Sequence, residues 1–302
     1  MITFILVNYN LSKELAQCLE GIECHVRISH EVIIVDNGSS DSDWDGLKKT
    51  LESRERTTVI CLGENVGFGA ACNRGAKIAS GEILCFINPD IVITEEFTDK
   101  VLENFQSMPR AVVVGVRSSV KRWFDFSAGP LPNLLLETMN IVLVGRYLEA
   151  LWVYFRSCYA RAPMQVGWVV GACLFIKRAS FYELDGFDED YFLYYEEVDL
   201  CHRVRNNGGT VLYDTRNQVS HIGSVAGARD YAAFTERFYT SKKKYIAKQY
   251  AGMKRSVLEI VVHMQMISQI GLWSILRLFG ASRSSAKLEG LHVAMRYKPT
   301  TS

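Results

Sequence analysis

Short apolar runs alternate with helix-forming stretches along the first part of the chain, and this order constrains the fold more than any single residue does. The runs predict strands at residues 3–8, 31–35, 57–62, 82–87 and 111–116. Strands that alternate with helices lie parallel and are joined by crossover helices, so the pattern predicts an α/β fold with a mostly parallel central sheet and flanking helices. Such sheets bind ligands at the carboxyl ends of their strands, which makes the polar loops at those ends the first candidates for a site.

The helices are predicted from their periodicity and from the residues at their ends. Ser12 is a predicted N-cap for a helix that ends near Cys24, and Thr94 is one for the helix after the fourth strand. Further helices are predicted at residues 43–53, 67–79, 191–207, 231–250 and 254–279, and further strands at 166–177 and 210–213. The chain is therefore expected to end in a helical extension beyond its α/β part.

Eight cysteines are spread along the chain without a C-x-x-C pair or a regular spacing. They are Cys18, Cys24, Cys61, Cys72, Cys85, Cys158, Cys173 and Cys201. Several lie within apolar runs, so we expect reduced core residues in a cytosolic protein rather than a zinc site or a disulfide framework. The chain enters a strand directly, with no basic region before an apolar stretch, which predicts no secretory signal and a cytoplasmic location.

Charge is unevenly distributed, although the net charge of the whole chain is only +1. Residues 229–302 carry a net charge of +9, and the first 228 residues carry −8. The asymmetry predicts an anionic partner for the C-terminal region. The acidic character of the larger part disfavours nucleic acid as that partner.

Two polar loops follow the first and second predicted strands. Tyr9 and Asn10 leave the first strand, where an aromatic ring can stack on a base while nearby amides bond to it. Asp36 ends the second strand, and its carboxylate can accept a hydrogen bond from a ribose hydroxyl or a pyrimidine N–H. Each loop alone is more typical of an ordinary turn, but their joint order at successive strand ends is hard to obtain by chance.

A glycine-containing loop at residues 65–75 opens the next helix. Gly67 permits close approach of the backbone to a ligand, and Arg74 can reach a phosphate. The segment does not match G-x-G-x-x-G, because Cys72 stands at the third glycine position. A dinucleotide-binding interpretation is therefore weak.

Asn88-Pro89-Asp90 follows the buried run at residues 82–87. A carboxylate just beyond the end of such a strand lies where α/β sheets bind their ligands. His221 follows a later strand and precedes a glycine turn, a reasonable position for a metal ligand, although a lone histidine is more often structural.

An acidic and aromatic cluster occupies residues 186–203, and its three central acids cannot all share one face of a helix. Asp199 lies four residues before Arg203, so the two are predicted to pair. Glu197 has aromatic and apolar neighbours in sequence, and burial among them would raise its pKa, as suits a general base. The alternative is a solvated acidic helix start that the helix dipole stabilises. The aromatic density argues against full solvation.

Taken together, these motifs resemble the family 2 glycosyltransferases, which are inverting enzymes with the GT-A fold. They are V-x-Y-N at 7–10, V-D-N-x-S at 35–39, N-x-G-F-G-x-x-x-N-x-G at 65–75, N-P-D at 88–90, W-x-x-G-A at 168–172, G-F-D-E-x-Y-F-x-Y-x-E-E-x-D-L-C-x-R at 186–203, and H-x-G at 221–223 with its final serine displaced to Ser224. The match covers about residues 1–250 and is closest to the rhamnosyltransferase-like branch that extends cell-surface polysaccharides. Asn88 is normal for that branch.

The resemblance implies a role for each matching residue. A nucleotide-sugar donor would contact Tyr9, Asn10, Asp36, Asn65, Gly67, Asn73, Arg74, Asn88 and Asp90. A saccharide acceptor, most readily a lipid-linked one, would contact Trp168, Gly171, Ala172, Glu196 and Asp199. Asp90 and His221 would bind Mg²⁺ or Mn²⁺. Glu197 would be the catalytic base, although Asp is commoner at this position, which leaves Glu196 and Asp199 open as alternatives.

The same resemblance implies a division of the chain and a preferred reaction. Residues 1–228 would form the GT-A domain, with a nucleotide-sugar half at 1–117 and an acceptor half at 118–228. The aromatic stretch at 118–165 would then be either an acceptor-binding flap or an insertion that packs on the core. The expected reaction transfers rhamnose from dTDP-rhamnose to a lipid-linked saccharide. Alternatives are another nucleotide sugar, such as a galactofuranose or hexose donor, or a non-catalytic nucleotide-sugar-binding protein.

The C-terminal region at 229–302 is basic and contains an amphipathic helix. Residues 260–276 lack Asp, Glu, Lys and Arg, but the stretch is short and polar for a membrane span. A basic run precedes it, formed by Lys242, Lys243, Lys244, Lys248, Lys254 and Arg255. The combination suits peripheral binding to the anionic inner face of the cell membrane. Packing of the helix on the catalytic domain or in a homodimer is equally compatible with the pattern.

Overall fold

The computed structural model describes residues 1–52, 54–118, 127–142, 145–159, 163–221 and 230–299. Some of the sequence-based predictions fall outside these ranges. They concern the aromatic residues Trp123, Phe124 and Phe126, the motif residues Gly223 and Ser224, and the boundary after residue 228.

The predicted α/β fold with a central, mostly parallel sheet is confirmed. The strands are β1 Ile2–Asn8, β2 His30–Asp36, β3 Thr57–Cys61, β4 Ile83–Ile87, β5 Ile91–Val92, β6 Ala111–Ser118, β7 Ala128–Gly129, β8 Met164–Gln165, β9 Trp168–Val169, β10 Cys173–Lys177 and β11 Thr210–His221. The main sheet has the order β3-β2-β1-β4-β10-β6-β11-β5, with β8 paired to β11. Strands β3, β2, β1 and β4 are parallel, as the alternating pattern predicts.

The second half of the sheet is mixed, and the sequence pattern missed two of its features. The run at 166–177 is not one strand, because a turn at Gly171-Ala172 separates β9 from β10. Strand β10 then runs antiparallel between β4 and β6. Strand β11 is much longer than the predicted 210–213, and its far end pairs with β5. Both features bring later parts of the chain to the carboxyl ends of β1, β2 and β4.

Helices cover the sheet and form the C-terminal extension. They are α1 Ser12–His25, α2 Asp41–Glu52, α3 Phe68–Ala76, α4 Thr98–Ser107, α5 Leu134–Met139, α6 Gly145–Tyr159, α7 Arg178–Glu183, α8 Glu196–Asn206, α9 Tyr231–Gln249, α10 Gly252–Leu278 and α11 Ser284–Arg296, with a 3₁₀ turn at Asn140–Val142 after α5. The last helix, α11, was not predicted. Among the described residues, no helix is long and apolar enough to cross a membrane.

Both predicted N-caps are wrong. Ser12 is the first residue of α1, the capping position belongs to Leu11 without a side-chain bond, and the Ser12 hydroxyl donates to Asp43 instead. Helix α4 begins at Thr98, four residues beyond Thr94, and the carboxylate of Glu96 accepts a hydrogen bond from the Thr98 backbone N–H at 2.7 Å. A carboxylate close to the start of a helix thus replaces the expected hydroxyl.

Helix α8 begins at Glu196, five residues later than the predicted start at 191. The cause is a pair of left-handed residues, since Tyr194 has φ 69° and Tyr195 has φ 70°. Non-glycine residues in this region are destabilised by roughly 1–2 kcal/mol each. The surrounding packing must offset that strain, and the first residues of α8 after the turn lie beside Gly69 and Gly171.

Three hydrophobic clusters form the core. Two of them lie on opposite faces of the sheet. The third joins the start of α8 to the C-terminal helices, and it includes Tyr195, Leu258, Val262 and Met266. The alternative in which α10 packs on the catalytic part of the chain is therefore confirmed for one face of that helix.

The cysteines only partly match the expectation of core residues. Cys18, Cys72, Cys85, Cys173 and Cys201 are buried and unpaired. Cys24 and Cys61 are also unpaired, but they are exposed. Within the described part of the chain, the absence of a disulfide framework agrees with the prediction.

The basic run before α10 is not an open cationic surface. Lys242 and Lys243 are only 4% and 3% exposed. Lys248 forms an ion pair with Asp188 at 2.5 Å, whereas Lys254 is exposed. Much of the positive charge predicted to face a partner thus holds the C-terminal helices against the rest of the molecule.

Candidate active site

Strands β1 and β2 place the first two polar loops side by side. Asn8 and Asp36 are partners in the parallel register of these strands, and the Asn8 side-chain amide donates to Asp36 Oδ1 at 3.0 Å. The Ser39 backbone N–H donates to Asp36 Oδ2 at 3.2 Å. Both oxygens of this buried carboxylate are therefore engaged in shaping the loop. A carboxylate oxygen has a further lone pair, so nucleoside binding by Asp36 stays a prediction.

Tyr9 lies at the same edge and is 45% exposed. The neighbouring Asn10 adopts a left-handed conformation with φ 56°, and its side-chain oxygen accepts a hydrogen bond from the Ser40 backbone N–H at 2.9 Å. The loop is therefore held by its own polar groups while the Tyr9 ring remains accessible. This arrangement suits the predicted stacking on a base.

The glycine-containing loop contacts the segment before α8. The Asn65 side-chain oxygen accepts from the Gly67 backbone N–H at 3.0 Å. Gly67 has φ 92°, and a Cβ atom there would lie 2.5 Å from the Phe192 carbonyl oxygen. The next backbone N–H, that of Phe68, donates to the same oxygen at 2.9 Å. Glycine at 67 is thus required for the packing of two loops, whatever ligand lies above them.

Asn73 and Arg74 both reach the segment after α7. The buried Asn73 side chain donates to the Phe187 carbonyl oxygen at 2.8 Å and accepts from the Phe187 N–H at 2.9 Å. Arg74 forms an ion pair with Glu189 at 3.3 Å, and both side chains are well exposed. Asn73 therefore has a structural role, in which it holds α3 against the segment after α7. Donor binding by these two residues stays a prediction.

Asp90 and His221 meet, although 131 positions separate them in sequence. The end of β11 pairs with β5, which places His221 opposite Ile91. His221 Nε2 lies 3.1 Å from Asp90 Oδ1, and Asp90 is buried. A carboxylate oxygen is a ligand that Mg²⁺ and Mn²⁺ both prefer, whereas an imidazole nitrogen suits transition-metal ions, so the pair fits Mn²⁺ better than Mg²⁺. Among the described residues no third His, Cys, Asp or Glu joins them, so they fit such a cation only with oxygens from a substrate such as a diphosphate.

Glu197 lies in the first turn of α8, where backbone N–H groups have no partner within the helix. Burial raises the pKa of Glu197 to about 7, although backbone hydrogen bonds from Glu197, Val198 and Gly171 oppose the shift. Its Oε2 atom is buried without a hydrogen-bond partner among the described residues. A carboxylate with a raised pKa and a free oxygen has the properties of a general base.

The two alternative acids are placed differently. Asp199 is buried and accepts from Arg203 Nε at 2.7 Å and from Gln249 Nε2 at 2.6 Å, so the predicted pair with Arg203 is confirmed. Glu196 is buried next to Gly69 of α3, and burial followed by repulsion from Glu197 raises its pKa well above the usual range. Of the three acids, Glu197 lines a cavity of about 300 Å³.

The predicted acceptor residues connect this cavity to the donor side. Trp168 lines it together with Glu197. A Cβ atom on Gly171 would lie 3.5 Å from the Glu197 Cβ, and the Ala172 carbonyl oxygen accepts from the Asn88 N–H at 2.9 Å. The turn between β9 and β10 thus joins the loop of Asn88-Pro89-Asp90 to Glu197. Glu137, Lys242 and Gln265 also line the cavity and were not predicted.

The fold is shared with known proteins. The model of glycosyl transferase family 2 matches residues 3–184. The chain belongs to glycosyl transferase family 2. This glycosyltransferase is similar to the N-acetylglucosaminyl-diphospho-decaprenol L-rhamnosyltransferase of Mycobacterium tuberculosis, with 27% identity over 271 residues that cover 84% of this chain and 86% of the relative.

Solved structures support the GT-A fold. The mannosyltransferase PcManGT from Pyrobaculum calidifontis, in complex with GDP-Man and Mn²⁺, aligns with a TM-score of 0.60 and 15% identity over 97% of this chain and 85% of that one. S. aureus TarS 1-349 in complex with UDP aligns with a TM-score of 0.52 and 18% identity over 94% and 73% of the two chains. At these identities the likeness establishes the fold alone.

Proposed function

We propose that this glycosyltransferase moves rhamnose from dTDP-rhamnose to a lipid-linked saccharide during synthesis of a cell-surface polysaccharide. We call the carboxyl ends of β1, β2 and β4, with Tyr9, Asp36 and Asp90, the donor edge. The observation that carries the proposal is the free carboxylate oxygen of Glu197 in a cavity beside this edge. The choice of rhamnose and of a lipid-linked acceptor is supported by the mycobacterial relative, which matches over most of both chains.

In the proposed reaction Glu197 accepts the proton of the acceptor hydroxyl. The acceptor oxygen then forms a bond to the anomeric carbon while the bond from that carbon to the phosphate oxygen breaks. The nucleoside diphosphate leaves with the electron pair, and the single displacement inverts the anomeric centre. A carboxyl group with a pKa near 7 suits this role, because it accepts a proton readily and is still substantially ionised at neutral pH.

Asp90 and His221 are proposed to hold Mg²⁺ or Mn²⁺ against the diphosphate. Their 3.1 Å contact and their position at the donor edge support this assignment. The cation would supply positive charge against the negative charge that develops on the leaving group. Tyr9 and Asp36 would hold the nucleoside at the ends of β1 and β2, and Trp168 would face the acceptor.

We also propose the division of the chain implied by these roles. Residues 1–117 supply Tyr9, Asp36 and Asp90 on the donor side, and residues 118–228 supply Trp168 and Glu197. The C-terminal helices from 229 onward complete the molecule, and they share a hydrophobic cluster with the start of α8.

A panel of nucleotide sugars tests the reaction. The purified protein, incubated with Mn²⁺ and each donor, is expected to release nucleoside diphosphate fastest from dTDP-rhamnose. Faster release from a galactofuranose or hexose nucleotide would identify a different donor sugar and leave the type of reaction as proposed. No release from any donor, with a lipid-linked acceptor present, would reject the enzymatic proposal and favour a non-catalytic binding protein.

Peripheral membrane binding is proposed for the outer face of α10. Exposed apolar residues follow one another along that face and just beyond its end, namely Met253, Ile260, Met264, Ile267, Ile275, Leu278 and Phe279. An apolar stripe on a helix that has cations near its ends is typical of segments that lie in a bilayer interface. Lys254 and Arg277 are exposed cations on the same helix.

Flotation with vesicles tests this membrane proposal. Binding to vesicles that contain anionic lipid is expected, and Ile260→Ser with Ile267→Ser should abolish it while leaving donor hydrolysis intact. Lys13→Ser on the exposed side of α1 is the control. Absence of flotation together with a dimer that the double variant dissociates would identify the stripe as a homodimer interface instead.

A further inference from the structure

The cavity beside Glu197 is built from parts of the chain that are far apart in sequence. Its walls come from the segment around α5 and α6, from the start of α8, and from α9 and α10. Its polar lining includes Glu137, Glu149, Glu197, Lys242, Gln265 and Gln269. A cavity of about 300 Å³ lies at the lower end of the range for small-molecule sites, roughly 300 to 1,000 Å³.

A closed polar network forms one wall. Lys242 forms an ion pair with Glu137, and its Nζ donates to Gln265 Oε1 at 3.0 Å. Gln265 Nε2 in turn donates to Glu137 Oε2 at 2.8 Å. All three side chains are 5% exposed or less. A buried ion pair is a weak source of stability, so its place at a cavity wall favours a role in shaping a polar surface.

The remaining polar groups make the cavity acidic. Glu149 is half-buried beside the network, and Glu197 lies at the start of α8. Burial, followed by repulsion from Glu137, raises the pKa of Glu149 to about 7. Three carboxyl groups therefore share the lining with the ammonium group of Lys242, which already pairs with Glu137. An anionic ligand would meet net repulsion here, whereas hydroxyl groups would find acceptors.

Aromatic rings supply the other walls. Trp168, Tyr194, Tyr195 and Phe238 line the cavity, and the two tyrosines are those held in the left-handed conformation. Flat apolar faces next to carboxylate and amide groups match a sugar ring, which has C–H faces and a hydroxyl rim. The strained turn is thus the feature that brings two of these rings and Glu197 to one cavity.

We infer that this cavity binds one neutral glycosyl unit of the acceptor, and that Glu149 and Gln269 select it by bonding to its hydroxyl groups. The inference rests on the proposed transferase function and adds the acceptor class and the residues that choose it. It assigns acceptor choice to α6 and α10, which are outside the donor edge. A phosphate attached to the acceptor sugar would lie outside the cavity, away from the carboxylates.

The test separates acceptor binding from donor chemistry. Octyl glycosides of glucose, galactose, N-acetylglucosamine, rhamnose and glucuronic acid serve as probes, and hydrolysis of the donor by water is measured in parallel. In the full-length protein at least one neutral glycoside should accelerate donor consumption, and the glucuronide should be at least about tenfold poorer in kcat/KM. Glu149→Gln should reduce the difference in kcat/KM between the neutral glycosides and the glucuronide, because it removes a negative charge from the cavity.

Gln269→Ala should raise the acceptor KM about tenfold while the donor KM and the hydrolysis by water stay unchanged. Glu259→Gln, which alters a carboxylate of α10 that pairs with Arg255 outside the cavity, is the control and should leave both constants unchanged. An unchanged acceptor KM in Gln269→Ala, an unchanged discrimination against the glucuronide in Glu149→Gln, a preferred glucuronide, or donor consumption that no neutral glycoside accelerates would each overturn the inference. If the wild-type protein consumed no donor at all, with or without a glycoside, the proposed function would be overturned instead.

Discussion

The proposed acceptor side comprises the start of α8 and the cavity beside it. It and the donor edge both contain buried carboxylates, but these differ in how fully they are hydrogen-bonded. At the donor edge Asp36 accepts from Asn8 and Ser39, and Asp90 contacts His221. On the acceptor side Glu196 and Glu197 each keep a buried oxygen without a hydrogen-bond partner among the described residues. An unsatisfied buried acceptor destabilises the fold by roughly 1–3 kcal/mol. The two carboxylates at the donor edge are thus fixed by hydrogen bonds or by a histidine, whereas Glu197, which is assigned to chemistry, and its neighbour Glu196 each keep one unsatisfied oxygen, as is common where a proton must be moved.

The largest expected effect comes from Glu197→Gln. The amide keeps the shape of the side chain but cannot accept the proton, so turnover should fall about 10²- to 10⁴-fold. The melting temperature should stay the same or rise, because an ionisable group is removed from a buried position. Donor turnover and thermal unfolding measure the two effects.

Glu95→Gln on an exposed loop is the matched control and should change neither quantity. If Glu197→Gln retained full turnover, Glu197 would not be the general base. The difference in hydrogen bonding between the carboxylates of the two regions would then have no functional meaning.

His221→Ala should have the next largest effect, on the donor side. Loss of one of the two proposed protein ligands should raise the Mn²⁺ concentration for half-maximal turnover by at least about tenfold. A metal titration of donor turnover measures it, with the exposed His292→Ala as the control. Unchanged metal dependence would mean that the contact between Asp90 and His221 serves only the packing of β5 on β11.

The pH dependence of turnover should report the acceptor side. Glu197 must be ionised to act as a base and its pKa is about 7, so kcat/KM should fall about tenfold per pH unit below that value. The free energy of unfolding should change with pH in the opposite direction to kcat/KM. A carboxyl group with a raised folded-state pKa binds more protons when folded, so the free energy of unfolding should fall as pH rises from about 4.3 to about 7.

Glu197→Gln should flatten this stability profile only in part, because burial still raises the pKa of Glu196 in that variant and also raises the pKa of Glu149. Urea unfolding at several pH values provides the measurement. A stability that increased steadily through this pH range in the wild type would contradict the burial of these carboxyl groups.

The last test concerns the contact between the two sides, and its expected effect is on stability and not on turnover. Gly67→Ala places a Cβ 2.5 Å from the Phe192 carbonyl oxygen, whereas Gly63→Ala, at a similarly positive φ, meets nothing within 4 Å. Gly63→Ala should therefore reduce the free energy of unfolding by about 1 kcal/mol through backbone strain alone, and Gly67→Ala by about 1–3 kcal/mol more. Equal effects in urea unfolding would show that the two loops do not press on each other.

The donor edge was largely predictable from sequence, and the acceptor side was not. Predicted and observed bounds of β1, β2 and β4 agree within about one residue, because buried parallel strands leave a clear apolar pattern. Parallel order then forces Asn8, Asp36 and Asn88 to one edge. These polar residues follow directly from strand ends, so local sequence was sufficient to find them.

The acceptor side depends on contacts that leave no local pattern. The start of α8 was misplaced because tyrosine gives no sequence signal for a left-handed residue. The network of Glu137, Lys242 and Gln265 joins residues that are far apart in the chain, and Lys242 looked like part of a solvated basic run. A lysine becomes recognisable as buried only when its partner across the fold is known.

The meeting of Asp90 and His221 also has a consequence for how the protein is made. A chain emerging from the ribosome can form β1, β2 and β4 early, but the histidine arrives only when β11 is complete. We therefore expect fragments that end before residue 210 to lack the contact between Asp90 and His221. Each chain would remain inactive until its synthesis is well advanced, so translation itself would delay the onset of sugar transfer.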